Sequence, residues 1–241
     1  MKSYTFGICI LLTGLIFSCQ TRDFGPHQER EESFNQISHL VLNGNFDTEI
    51  IQGEEEKLIL SGPEELIQAV QVKQTDERLE INLKEEMEFL LNDESIDLIL
   101  TVPNLSIIDI AGAGSFQIQP YFQTTALRIN CSGVGEMEFN LEADEVHAVF
   151  SFVGKATFQG ATDKFHLENN GIGEINASEF SAKNVDLTSS GIGNVSVFAS
   201  ETLAMDVSGI GKVKYSGDAE ITRRNVSGIG NVEKVESKQN Y

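Results

Sequence analysis

His147 and His166 stand nineteen residues apart in a chain of 241. If the chain repeats with that period, they stack on neighbouring turns, and a stacked imidazole pair is the best start this sequence offers for a metal site or an acid–base couple. No third ligand accompanies them, and Val146–Phe150 and Lys164–Leu167 read as ordinary strands, so the pair reads as a surface feature. Cys131 is the one thiol beyond residue 19. A nucleophile needs a base beside it, and His147, the nearest histidine in sequence, does not establish one, so Cys131 reads as a small, partly buried residue. With Cys9 and Cys19 near the N-terminus, no intrachain disulfide is expected. Arg223 and Arg224 are adjacent and in a strand would face opposite ways. The acidic clusters Glu54–Glu56, Glu85 with Glu86 and Glu88, and Asp93 with Glu94 could hold calcium. They lack the spaced ligands of a calcium loop and read as solvated faces. The expectation is therefore no catalytic residue, no metal site and no cofactor.

The elements that carry these residues repeat. A glycine recurs at Gly114, Gly135, Gly154, Gly173, Gly193, Gly211 and Gly230, in units reading AGAGSFQI, SGVGEMEF, SFVGKATF, NGIGEINA, SGIGNVSV, SGIGKVKY and SGIGNVEK. A spacing near nineteen is too short for a βαβ unit and lacks the leucine-rich pattern, and within each unit apolar residues alternate. Short strands joined by tight corners remain, either as a solenoid with one unit per turn or as an antiparallel array with one hairpin per unit. An outer-membrane barrel is disfavoured, because Glu and Lys occupy one strand face.

Two columns of residues favour the solenoid. After the second glycine the chain reads Ser115, Glu136, Lys155, Glu174, Asn194, Lys212, Asn231, and two places on it reads Gln117, Glu138, Thr157, Asn176, Ser196, Lys214, Glu233. Neither order sets like charges side by side, as stacking at about 4.8 Å requires. The seven glycines are expected at positive φ, and the first glycine, replaced by Phe152 in the third unit, is merely favoured at a corner. The residue between the glycines (Ala113, Val134, Val153, Ile172, Ile192, Ile210 or Ile229) is expected to point inward and plug the corner. Ser132, Ser151, Asn170, Ser190, Ser208 and Ser227, just before the pair, can bond the turn backbone or one another. Phosphate binding is excluded: neither GxGxxG opening a helix nor GK followed by Ser or Thr occurs. Phe139 and Phe158 share one inward position, where stacked rings fill the coil.

The first residues read as an export signal. Lys2 precedes the mostly apolar stretch Tyr4–Phe17, too short for the roughly 20 helical residues that span a bilayer. "IFSC" resembles a bacterial lipobox, with Ile16 three places before Cys19 and Ser18 directly before it. The expectation is a lipoprotein signal over 1–18, lipid on Cys19 and a flexible tether over 19–33; an ordinary signal peptide is the alternative. The net charge is −20, which repels nucleic acid and anionic membrane surfaces, so membrane attachment falls to the lipid.

Folding is expected to begin near Phe34. Strand-like runs follow at "HLVL", "FDTEII", "KLIL", "VQVKQ", "RLEINL" and "IDLILTV", with a short helix at "GPEELIQA". Residues 34–110 form a less regular β-rich part, and 111–241 the regular repeats. From roughly Phe34 to Glu233, on "LTVPNLSIIDIAGAGSFQI" leading into the glycine repeats, the chain resembles the bacterial head GIN domain family of adhesin-like proteins common in Bacteroidetes lipoproteins. The resemblance implies an all-β fold, a right-handed parallel β-helix (β-solenoid) of about 19-residue rungs, with no established catalytic residues.

Two functions fit such a coil. The first is an envelope-anchored binding module, an adhesin-like head on an outer-membrane lipoprotein facing periplasm or exterior, with a protein or glycan partner. The second is an enzyme on acidic polysaccharide, which needs carboxylates and a basic residue gathered on one face. The charges are scattered among turns, which favours the first. The chain has no Trp, and only Tyr121, Tyr215 and Tyr241 lie beyond the leader, so sugar-stacking platforms are few. The open end of a solenoid exposes strand edges; the tail "KVESKQNY" blunts that edge, or protomers meet there as a homo-oligomer.

Overall fold

The computed structural model describes residues 24–88 and 95–236. The expected leader 1–18, lipidated Cys19 and the acidic pair Asp93 and Glu94 lie outside the described residues.

After an unanticipated β1 (His27–Ser33), the six strand-like runs and the short helix occur in the expected order as β2 (His39–Asn45), β3 (Asp47–Gln52), β4 (Lys57–Pro63), α1 (Glu64–Ala69), β5 (Val70–Thr75), β6 (Arg78–Leu83) and β7 (Asp97–Val102), with a further short helix, α2 (Glu85–Glu88), before β7. The repeats follow as β8 (Ile107–Cys131), β9 (Val134–Phe150), β10 (Val153–Asn169), β11 (Ile172–Ser189), β12 (Ile192–Val207), β13 (Ile210–Ser216), β14 (Glu220–Val226) and β15 (Ile229–Lys234). Every pairing from β8 onward is parallel. Gly114, Gly135, Gly154, Gly173, Gly193, Gly211 and Gly230 fall in one ladder column, and Val195 pairs Val213. The result is a parallel β-solenoid of about seven turns.

Alternation turns every second side chain inward, and the coil is narrow enough that these meet across its axis. Phe139 and Phe158 stack at 4.7 Å with planes 19° apart, and Phe180 continues the line 5.7 Å from Phe158. Phe150 and Phe165 meet Phe158 from the opposite wall. All five rings are buried. Each contributes on the order of 2–3 kcal/mol of burial, so the rings are a large share of the core in the middle turns.

The corners correct one expectation. The residue between the glycines points outward: Val134, Val153, Ile172, Ile192, Ile210 and Ile229 are 48–79% exposed. The cause is the close approach of successive corners. A Cβ on Gly193 would stand 1.7 Å from the carbonyl oxygen of Gly173, and one on Gly191 would stand 2.3 Å from that of Gly171. The preceding turn's backbone already fills the corner, leaving no room for a plug. A Cβ at either glycine of this corner meets the preceding turn, yet Phe152 takes the first position in the third unit and is buried; the second, at a φ of +139° in Gly193, is closed to a β-branched residue. Gly230, in the last described turn, is not among the glycines with positive φ.

At the N-terminal end the chain doubles back. β2 and β3 form the turn below β8, and β6 and β7, later in sequence, form the next one out, parallel to them. β5 then pairs antiparallel with β6, β4 with β7, and β1 with β4. α1 lies across this end with Leu66 and Ile67 buried; Pro63 presets its entry, and Glu64 and Glu65 occupy its first turn. Ordered structure thus reaches into the segment read as a tether: β1 pairs from His27 with Pro63 to Ser33 with Lys57, and Phe24 is buried. "HQEREES" contains no apolar residue, so hydrophobic periodicity could not reveal it. Backbone pairing holds it, with Lys57 Nζ 2.7 Å from Glu31 Oε2.

Candidate binding surface

The solenoid carries its polar chemistry on outward columns, one residue per turn. Arg128, His147, His166 and Asp186 share one of them. The rings of His147 and His166 stand 5.9 Å apart, and His147 Nε2 is 3.8 Å from Glu168 Oε1. Among the described residues no group of three or more His, Cys, Asp or Glu side chains is arranged to hold a metal ion. Further along, Arg223 donates to Asp186 Oδ1 at 2.7 Å and to Asp206 Oδ2 at 2.6 Å, while Arg224 reaches the carbonyl of Val232. The hydrogen bonds of Asn225 and Arg223 hold the Asp206 carboxyl below the usual carboxylate range. Arg223, Asp186 and Asp206 are thus partnered across turns.

The same wall ties the N-terminal part to the repeats. Asp109 accepts hydrogen bonds at 2.7 Å from Asn130 Nδ2 and at 2.8 Å from His39 Nε2. Burial pushes its carboxyl up, but these bonds outweigh it and hold the pKa below the ordinary value. Cys131 lies inside, its Sγ 3.2 Å from Met137 Sδ, and burial raises its pKa to about 11. The thiol stays protonated and unreactive at neutral pH.

Two of the shallow depressions on the described surface are bordered by several carboxylates. One, of about 580 Å³, is bordered by Glu29, Asp47, Glu49, Asp97, Glu136 and Glu138; Ser115 donates to Asp47 through its backbone N–H and its hydroxyl. Burial works against the Asp47 carboxylate, yet these bonds keep its pKa lowered. The other, of about 620 Å³, lies over Glu142, Asp144, Asp163 and Lys183, where Lys183 Nζ is 2.6 Å from Asp163 Oδ1. Glu54 and Glu55 sit exposed in the turn after β3, while Glu56 accepts the backbone N–H of Ile37.

The feature that sequence reasoning misassigned is the corner ridge. Its six aliphatic residues form one ladder column, Val134 to Ile229, with the short polar residues before the glycines on one side, where Ser190 Oγ donates to Asn170 Oδ1 at 2.6 Å. On the other side run the two columns read from the sequence, in the register anticipated, with Lys155 Nζ 3.2 Å from Glu136 Oε1. The constancy of an aliphatic residue at this position was visible in the sequence, but its direction was not.

Residues 33–219 match the family described as "Putative auto-transporter adhesin, head GIN domain". No curated protein matches the chain. Among solved structures, it is similar to a "putative adhesin" from Bacteroides fragilis NCTC 9343, at 21% identity and a TM-score of 0.81 over 87% of this chain and 97% of that one. It is also similar to a "putative lipid binding protein" from Parabacteroides distasonis ATCC 8503, at 22% identity and a TM-score of 0.63 over 88% and 97%. A third, a "putative adhesin" from Parabacteroides merdae ATCC 43184, aligns at 17% identity and a TM-score of 0.59 over 88% and 97%. At these identities the likeness is one of fold.

Proposed function

The chain belongs to the family described as "Putative auto-transporter adhesin, head GIN domain", and from that premise we propose that it is a non-catalytic binding head, held to the cell envelope by lipid on Cys19 and engaging a protein or glycan outside the cytoplasm. The observation that carries this reading is the outer surface itself. Flat ladders of partnered polar residues and one aliphatic ridge run the length of the coil, a surface suited to extended partners. The bacterial lipobox at Ile16–Cys19 supports an outer-membrane lipoprotein, facing either the periplasm or the exterior.

A glycan and host-protein array, run beside an assay for reducing-sugar release from acidic polysaccharides, separates this reading from the enzyme that a β-helix could also be. Binding without turnover is expected; release of sugar ends with substrate consumed and overturns the reading. Labelling with radioactive palmitate, lost in Cys19→Ser, tests the anchor.

A further inference from the structure

The ridge is an apolar line that the described residues leave uncovered. Val134, Val153, Ile172, Ile192, Ile210 and Ile229 are each about half exposed or more, in parallel register about 4.8 Å apart. A chain of net charge −20 has ample polar residues for this corner, where Ser or Asn would fit equally. Aliphatic side chains in water on six successive turns point to a contact.

The charges beside the ridge identify the occupant. Glu136 and Glu138 lie on β9, two turns before Ile172; Lys212 and Lys214 lie on β13, two turns after it. Acids and lysines are thus disposed symmetrically about Ile172, the third of the six ridge residues. A partner with the same pattern running the other way sets every one of these acids against a lysine. We propose that a second copy of this chain covers the ridge antiparallel, on a two-fold axis through Ile172.

In that arrangement Val134 faces Ile210 of the second copy, Val153 faces Ile192, and Ile172 meets itself. The same rotation sets Glu136 opposite Lys212 and Glu138 opposite Lys214, each twice. Lys155 meets Asn194, Thr157 meets Ser196, and the single like-charge meeting in these rows is Glu174 with itself on the axis. Shifting the axis half a turn toward Ile192 brings Lys155 against Lys212 and Glu138 against Glu233, and half a turn toward Val153 keeps only Lys155 against Glu174 as an opposite pair, so the axis through Ile172 gathers the most opposite charges. Area requires the charged columns to take part: the ridge alone offers roughly 400–500 Å², short of the about 800 Å² per partner of a standard interface. The inference goes beyond the adhesin-like reading: a second copy on the ridge leaves an external partner the other outward columns, such as that of Arg128, His147 and His166, and self-association is read by sedimentation and cross-linking while the external ligand is read by the array.

The test uses the chain with Cys9 and Cys19 replaced by Ser as its parent, so that buried Cys131 is the one thiol left before substitution. Ile172→Cys places a thiol on the axis, and oxidation with copper–phenanthroline is expected to yield a cross-linked dimer that the parent chain, oxidised alongside, does not give. Sedimentation equilibrium of Glu136→Lys/Glu138→Lys, and separately of Lys212→Glu/Lys214→Glu, is expected to show self-association weakened by about tenfold or more. Combining all four substitutions in one chain restores opposite charges across the axis and is expected to restore association. Circular dichroism checks that each variant is folded. A parent chain that stays monomeric, cross-linking no greater than in the parent, or failure of the fourfold variant to regain association overturns the proposal. A monomer that sediments with phosphatidylcholine vesicles, and loses this on Ile192→Asp, assigns the ridge to a lipid surface and overturns it equally.

Discussion

The two ends of the coil are finished in opposite ways. At the N-terminal end β6 and β7 return against β2 and β3, antiparallel strands β1, β4 and β5 turn the edge, and α1 lies over the interior with Leu66 fully buried. At the C-terminal end the described chain runs on as a last, thinner turn: β14 is exposed along its whole length, and β15 buries only Val232. A repeat can bury its apolar face only against a neighbour, so the first turn needs a purpose-built lid. The difference teaches that stability along the coil is graded, high where turns have neighbours on both sides and falling toward the thin end.

The severest way to break that picture is at an interior corner. Gly193→Val forces a β-branched residue into a φ of +139° against the Gly173 carbonyl. We expect a loss above about 4 kcal/mol and no cooperative melt by circular dichroism; a folded variant would contradict the corner geometry. Phe158→Ala, in the middle of the ring stack, should cost about 3–5 kcal/mol by urea denaturation. Leu66→Ala in the lid should cost about 2–5 kcal/mol, but its signature is positional. Hydrogen exchange should quicken in residues 57–83 and change little in β10 to β12, whereas equal quickening everywhere would mean the coil unfolds as one unit. Val232→Ala, at the thin end, should cost about 1 kcal/mol or less and quicken exchange only in the last turns.

The smallest effect concerns the seam between the two regions. The Asp109 carboxyl is held below its ordinary pKa by Asn130 and His39 against the cost of burial, so the stability it contributes is present above the unfolded value of about 3.9 and is lost as pH falls through the lower folded one. Asp109→Asn should therefore lower the melting temperature at pH 7, and the gap from the parent should close toward pH 2. A gap that persists in acid would assign the loss to packing.

Legibility followed the same division. The repeats could be read because equivalent residues recur at fixed spacing: the columns Ser115 to Asn231 and Gln117 to Glu233, the stack of Phe139 on Phe158 and the pairing of His147 with His166 all follow from it. The lid could be read only in pieces. Its strands were visible as apolar runs, but nothing local records that β6 lies beside β2, and β1 has no apolar residue at all. The ridge failed for another reason. Alternation gives a period without a sign, so an aliphatic residue at every corner reads as interior until the backbone of the preceding turn is seen to occupy that space.

Stacking in register also makes length a countable property. Because Gly173 and Gly193 occupy one column, excising residues 174–193 would join Gly173 directly to Asn194 and bring Asn194 beside Lys155, leaving a shorter coil of unchanged cross-section. Removing residues 155–173 instead would set Glu174 against Glu136. The sign sequence along the ladder thus acts as a rule for editing: some turns can be dropped in descent without penalty and others cannot.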